Sequence, residues 1–450
     1  MSLVRNINKS LVEWKESAFR KPLILRGARQ IGKTTVINQF GEQFDHFISL
    51  NLERKRDKRY FEDTDDVKVI FDRLILDHAI IFEENQSILL FIDEIQEIPE
   101  VIELLRYFYE DLPHIHVIAA GSLLEFALGE ISKMPVGRVQ FLYMYPMNFE
   151  EFLTAQGKSN WLAAFEEVPV SNIAHRVLLE QFNLYCIIGG MPEVVKVYLH
   201  DGDMRRVNAI YQSIWQTYRT DIEKYASNSN EKRIIRHIID VAPFYFDERI
   251  KFQNFGNSNY RSREVAEAFR SLDAAGLIRL LYPTTSLTPP IQKDFKKSPR
   301  IQFLDIGIVN HVRKVQGDLL HLDDLSDAYK GALIPQVVYQ EITSINSLES
   351  YKPDFWVRDK TQSSAEVDLI VRHKDLLIPI EIKSGTTGSL KSLHQFINRC
   401  DHHYAVRIFG GQFSIQDQKT PEEKAYKLMN LPYYLATKLN SYLDYFTTKA

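Results

Sequence analysis

The segment Gly27-Ala28-Arg29-Gln30-Ile31-Gly32-Lys33-Thr34, followed by Thr35, places two glycines, a lysine and a hydroxyl at the spacing G-x-x-x-x-G-K-[ST]. That combination suits polyphosphate binding. Glycines let backbone N–H groups turn inward around phosphate oxygens, and a helix starting near Lys33 adds the positive end of its dipole. Lys33 is then in reach of the β- and γ-phosphates, and Thr34 offers a hydroxyl to Mg²⁺. The pattern works only between an apolar strand and a helix; Lys-Pro-Leu-Ile-Leu-Arg at 21–26 supplies the strand. ATP with Mg²⁺ is the expected ligand.

A metal-holding acid should follow at the end of another buried strand. The apolar run 88–92 leads into Asp93-Glu94, with Asp93 expected on Mg²⁺ and Glu94 polarising the attacking water. A further strand, 46–52, falls between the two motifs in sequence. That insertion and the second carboxylate resemble the additional-strand, catalytic-glutamate class of P-loop ATPases. A strand at 115–120 ends at Gly121-Ser122, where the Ser122 hydroxyl can sense the γ-phosphate or simply cap the strand end.

A second constellation lies near the C-terminus. Asp368 sits within Glu366-Val367-Asp368, and Glu381-Ile382-Lys383 ends an apolar strand. Residues two apart in a strand share a face, so Glu381 and Lys383 project together. Charges on such strands are costly when buried without partners. Upstream, Glu341 falls in a predicted helix at 334–345. This order resembles the PD-(D/E)XK nuclease fold, which implies Glu341, Asp368 and Glu381 as Mg²⁺ ligands and Lys383 as the group that orients or deprotonates the nucleophile. The alternative is a degenerate copy kept for binding or assembly, because a fold does not establish cleavage.

The elements that must position these groups are visible in the pattern. Short strands alternate with helical stretches (67–84 and 101–109) through the first 150 residues, which argues a parallel sheet covered by helices on both faces. Residues 172–225 read as helical, broken at Gly189-Gly190-Met191-Pro192. Residues 231–315 read as three helices and a two-stranded wing, with the third helix at 262–275 and wing strands at 277–282 and 301–304. Strands at 365–372, 377–382 and 404–409, with helices between and after them, complete a C-terminal α/β region.

Composition narrows the classes. The chain has 450 residues, 45% hydrophobic and 25% charged, an ordinary globular profile that excludes disordered and collagenous architectures. A net charge of −4 rules out a uniformly basic nucleic-acid coat. Residues 251–300 nevertheless carry nine Lys/Arg against four Asp/Glu. Arg261, Arg263 and Arg270 fall on or beside the third helix, and Lys293, Lys296, Lys297 and Arg300 in or beside the wing loop, where a DNA-docking winged helix needs cations. A winged helix used only for packing is the competing reading. Cys186 and Cys400 are the only cysteines, which fits a reducing compartment. No apolar run approaches membrane-spanning length, so a soluble cytoplasmic protein with no membrane partner is expected.

Arg26 through Thr35, Gly121-Ser122, Gly137-Arg138, the segment 146–153, Gly190-Met191-Pro192-Glu193, Phe303-Leu304-Asp305-Ile306-Gly307 and Glu366-Val367-Asp368 together resemble a bacterial and archaeal AAA+ family with a C-terminal domain of unknown function. That family is similar to the archaeal and signal-transducing branch of AAA+. The resemblance implies an α/β P-loop ATPase core arranged as a three-layer sandwich (1–170), a helical lid (171–230), a winged helix (231–320) and a restriction-endonuclease-like α/β domain (321–450). It further implies that Pro192 touches adenine and that Arg138 acts as a finger in a neighbouring subunit, which requires a homo-oligomer. Two functions follow. One is an ATP-hydrolysing protein acting on double-stranded DNA with conditional Mg²⁺-dependent endonuclease activity. The other is an ATP/ADP switch whose nuclease-like domain only binds a partner.

Overall fold

The computed structural model describes residues 3–81, 83, 86–122, 135, 137–223, 226, 228–319, 325, 331–359, 365–385 and 389–449. Five parallel strands form the first sheet: β1 (Leu23–Arg26), β2 (His46–Asn51), β3 (Ile88–Asp93), β4 (His116–Ala120) and β5 (Gln140–Tyr143), in the order β2-β3-β4-β1-β5. Side chains alternate across it. Leu23, Leu25, Leu89 and Phe91 enter one apolar core, while Ile24, Leu90 and Ile92 enter the core on the opposite face. Burial on both faces is why these strands read as continuous apolar runs. The strand between β1 and β3 is β4; β2, the strand lying between the two motifs in sequence, takes the edge. The helix expected over 67–84 stops at Asp77, whose carboxylate accepts from Arg59 (2.6 Å) and Tyr60 (2.8 Å), and Ala79 then takes a positive φ of 50°.

Helices Asn172–Ile188, Pro192–Asp201 and Met204–Glu223 follow. Their break has a steric cause. Gly189 takes a φ of 79°, and a Cβ on Gly190 would lie 2.1 Å from the Met147 carbonyl oxygen.

The three-helix reading of 231–275 needs correction. Helices Ser229–Val241 and Ser262–Ala274 form, but between them only the short 3₁₀ turns Ala242–Phe244 and Phe255–Asn257 appear. Asp247, Asn254, Gly256 and Asn257 all take positive φ there, which no helix tolerates in series. The wing strands β6 (Ile278–Leu281) and β8 (Arg300–Phe303) pair antiparallel as expected. The loop joining them is not free: β7 (Pro283–Thr284) runs parallel to β9 (Asp354–Val357) as the edge of the last sheet.

That sheet is mixed, adding β10 (Glu366–His373), β11 (Leu376–Ile382), β12 (Tyr404–Phe409), β13 (Ser414–Lys419) and β14 (Ala425–Pro432) in the order β13-β14-β12-β11-β10-β9-β7. Helix Lys391–Ile397 covers one face through Leu393 and Phe396. The other face joins the apolar core that runs from Ile7 to Phe446. Among the described residues no helix is long and apolar enough to cross a membrane.

Candidate functional site

The carboxyl ends of β1, β3 and β4 bring Gly27, Asp93 and Gly121 to one edge of the parallel sheet, where open α/β sheets bind ligands. Gly27 has a φ of 152°, and a Cβ there would lie 2.4 Å from the Met144 carbonyl oxygen, so only glycine fits. Gly32 turns the chain at a φ of 92° into helix Lys33–Gly41. The backbone N–H groups of residues 27–35 thus belong to a left-handed turn closed by a helix N-terminus, an anion-binding arrangement.

Lys33 is buried and donates to the carbonyls of Gly27 and Ala28, each at 2.8 Å. Burial pulls its pKa down to about 8, while Glu94 and Asp93 act in the opposite direction. The Thr34 hydroxyl donates to Asp93 at 2.7 Å. A hydroxyl oxygen touching a carboxylate is a hard-oxygen pair of the kind Mg²⁺ takes, so these residues fit the ion. Burial raises the Asp93 pKa, with the Thr34 bond opposing it. Glu94 adopts a left-handed conformation (φ 53°), and its carboxylate accepts from Gln96 at 2.5 Å. Ser122, just beyond β4, is buried, and among the described residues its hydroxyl has no hydrogen-bond partner.

Of the remaining expected residues, Pro192 opens its helix against the loop: a Cβ on Gly32 would meet its Cγ at 3.7 Å. Arg138 is half-exposed on the surface, paired to Glu110 at 2.8 Å. That bond lowers the Glu110 pKa and raises that of Arg138.

The sequence reading missed the residues that grip the loop from outside it. Arg5 donates to the Ile31 carbonyl at 2.8 Å and the Tyr145 carbonyl at 2.6 Å, and pairs with Glu151 at 3.0 Å. From helix Met204–Glu223, Tyr218 donates to the Arg29 carbonyl at 2.7 Å and Asp221 pairs with the Arg29 guanidinium. Gly276, just before β6, packs against Ala28. A cleft at the loop is lined by Gly27, Ala28, Ser122, Asp273, Arg279 and Lys352. Apart from Glu151, inside the segment 146–153, the gripping residues lie outside the motifs, and Tyr218, Asp221, Asp273, Arg279 and Lys352 lie far along the chain.

The C-terminal acids are only partly brought together. Asp368 accepts from the Ile382 backbone N–H at 2.9 Å, and Lys383 donates to Glu381 at 2.6 Å. Burial pushes Glu381 up to about 7, helped by the charge of Asp368. Glu341 is elsewhere. Its carboxylate accepts from the Phe149 N–H at 3.0 Å and the Tyr185 hydroxyl at 2.7 Å, at the junction with the ATPase region. A helix turns about 100° per residue, so Tyr339 faces the strand of Asp368, and Glu341, two residues on, faces away. Arg300 of β8 reaches into the space beside the acids instead, bonding Glu366 and lying 3.6 Å from Asp247 and 3.8 Å from Asp368. Among the described residues no group of three or more His, Cys, Asp or Glu is placed to hold a metal.

The wing cations are similarly committed. Lys293 pairs with Asp354 at 3.1 Å, Lys297 with Asp294 at 3.7 Å, and Arg300 is buried. Lys296, Arg261, Arg263 and Arg270 remain exposed.

The first site falls within a segment that matches a known family. Residues 19–153 match a family model described as an AAA domain. Residues 179–319 and 330–434 match two further models, Domain of unknown function (DUF8612) and Domain of unknown function (DUF4143). An uncharacterized protein of Haemophilus influenzae is 24% identical over 200 residues, 42% of this chain and 44% of that protein, so the match spans less than half of that relative. Among solved structures, the Walker-type ATPase PABY2304 of Pyrococcus abyssi is 14% identical, with a TM-score of 0.43 over 69% of this chain and 96% of that one. The Hsp104–ADP complex of S. cerevisiae is 12% identical, with a TM-score of 0.29 over 60% of this chain and 38% of that one. Residues 19–153, with the loop geometry above, form an AAA-type P-loop ATPase domain.

Proposed function

We propose that the chain is an ATP-hydrolysing switch in which downstream segments close on the nucleotide loop and the C-terminal region serves as a docking module without nuclease activity. The observation that carries this reading is the grip on the loop in cis. Tyr218 and Asp221 hold Arg29, Gly276 covers Ala28, and Arg279 and Lys352 wall the cleft. A triphosphate entering the cleft must rearrange those contacts, so occupancy and position are linked.

In this reading residues 27–35 cradle the phosphates, Lys33 leaves the two carbonyls for the β- and γ-phosphates, and Pro192 lies against the base. Thr34 and Asp93 hold Mg²⁺, which supplies charge neutralisation on the phosphate oxygens. Glu94 polarises the attacking water and Ser122 senses the γ-phosphate. Arg138 acts only if copies assemble, exchanging Glu110 for a neighbour's nucleotide. The C-terminal acids hold Arg300 and so fasten the wing to the last sheet. A DNA contact would rest on Lys296, Arg261, Arg263 and Arg270.

Limited proteolysis with ATP, with ADP and without nucleotide tests the switch. Distinct patterns are expected in the wild type and a single pattern in Lys33→Ala; identical patterns in the wild type would sink the reading. Plasmid DNA incubated with Mg²⁺ should stay intact. Cleavage that disappears in Asp368→Ala would restore the nuclease reading.

A further inference from the structure

The cleft at the nucleotide loop contains a cation that the site as described leaves without a task. Arg279 lies on β6, three residues beyond Gly276, which touches Ala28. It is half-buried, and desolvation lowers its pKa. Among the described residues its guanidinium makes no hydrogen bond and no ion pair; it lies over the Tyr145 ring at 5.0 Å and feels the charge of Asp273 from a distance.

The contrast with the other arginines around the loop is informative. Arg5 is fully engaged with Ile31, Tyr145 and Glu151, and Arg29 with Asp221. Arg279 alone among these three keeps its five donors unspent while facing the loop. Its cleft neighbours are Ser122, whose buried hydroxyl has no partner among the described residues, and Gly27 and Ala28, whose carbonyls hold Lys33. A half-buried guanidinium and this hydroxyl line one cleft with the first residues of the phosphate loop, a setting that suits an anion.

We infer that Arg279 contacts the γ-phosphate of ATP in cis and stabilises its charge during hydrolysis. The inference rests on the proposed ATP site and adds a residue from outside the ATPase domain. In the reaction the water oxygen bonds to the γ-phosphorus, and the bond to the β–γ bridging oxygen breaks with its electron pair leaving on ADP. Glu94 takes the water's proton and returns it to the phosphate. Charge is spread over the γ-phosphoryl oxygens and grows on the departing bridging oxygen, where a half-buried guanidinium is well placed to stabilise it.

The same placement explains how hydrolysis is felt downstream. Asp273 faces Arg279 and pairs with Lys352, which leads directly into β9. Drawing Arg279 toward a γ-phosphate takes positive charge away from Asp273; release of phosphate returns it.

The test uses the full chain with Arg279→Ala and Arg279→Lys, measuring ADP affinity, kcat and KM for ATP. The expected result is ADP affinity within about twofold of wild type, since ADP lacks the contacted group and this also certifies the fold. kcat should fall by about a hundredfold or more in Arg279→Ala, with partial recovery in Arg279→Lys. A wild-type kcat in Arg279→Ala overturns the inference and leaves the ATP site standing. Loss of ADP affinity in both variants overturns it too, because Arg279 would then be a structural support. Absence of hydrolysis by the wild type overturns the ATPase reading and this inference together.

Discussion

The guanidinium of Arg300 lies 3.8 Å from the carboxylate of Asp368, so the acid that the sequence offers to a metal faces an arginine of the same chain. Arg300 starts β8 in the wing and Asp368 lies in β10 of the last sheet, and the contact crosses between the two. Glu366, Asp247 and the Tyr339 hydroxyl complete the arginine's surroundings.

Removing that arginine leaves buried carboxylates uncompensated. Arg300→Ala is expected to cost about 3–5 kcal/mol, read as a shift in the denaturation midpoint. Arg300→Met should cost less, because it refills the volume. Mg²⁺ without nucleotide should not move the wild-type midpoint. A Mg²⁺-dependent rise abolished by Asp368→Ala would show that a metal competes for the acids.

Glu341 and Asp247 should each lower stability as pH rises across the neutral range. Burial raises Glu341 from 4.5 to about 8 and Asp247 from 3.8 to about 7. Between those limits the folded chain holds protons that the unfolded chain has released, so raising the pH favours unfolding. Each group contributes a slope of at most about 1.4 kcal/mol per pH unit. Histidines that burial holds below their usual pKa, among them His116, pushed down to about 4, His175, His311 and His402, oppose this slope below about pH 6.5. The acids are therefore read by difference: melting temperatures from pH 5 to pH 8 should fall more steeply, or rise less, in the wild type than in Glu341→Gln, and parallel curves would contradict the placement of Glu341.

Glu94→Gln should retain ATP binding while hydrolysis drops by about 10²–10⁴-fold, the range for losing a positioned general base. Lys33→Ala should lose binding itself. Equilibrium binding of a fluorescent ATP analogue beside phosphate release separates the two effects.

Loosening the grip on the loop should speed the cycle. Asp221→Asn removes the charge held against Arg29 from helix Met204–Glu223. Basal hydrolysis is expected to rise about two- to tenfold, on the order of 1 kcal/mol of released restraint. An unchanged rate in stopped-flow phosphate release would mean that the contact does not limit access.

Two glycines with opposite surroundings offer a paired test. A Cβ on Gly190 would lie 2.1 Å from the Met147 carbonyl oxygen, whereas Gly202 (φ 68°) has nothing within 4 Å. Gly202→Ala should cost about 1–2 kcal/mol for its left-handed backbone. Gly190→Ala should cost more, since backbone must move. Equal losses in urea melts would refute the crowding at Gly190.

What the sequence determined by itself is the phosphate loop, the strand ending in Asp93-Glu94 and the alternation that builds the parallel sheet. Each of these is local: a strand, a turn and a helix follow one another within about ten residues, and the chemistry depends on backbone conformations that glycine spacing dictates. The wing strands β6 and β8 were legible for the same reason, since apolar alternation marks them. The middle helix of 231–275 was not legible, because positive-φ residues at 247–257 outweighed a helical pattern.

Only the tertiary structure decided where the charges went. Glu341 and Tyr339 are two residues apart on one helix, yet one carboxylate meets Phe149 and Tyr185 while the other side chain reaches the strand of Asp368. Arg300 and Lys293 read as cations for a phosphate backbone and are instead neutralised by Asp368, Glu366 and Asp354, as much as 68 residues along the chain. Composition counts a charge but does not say whether another segment will bury it, and burial is decided by which strands pair. β7 joins β9 and ties the loop to the last sheet, where Arg300 is buried and Lys293 is paired, while Lys296 stays exposed.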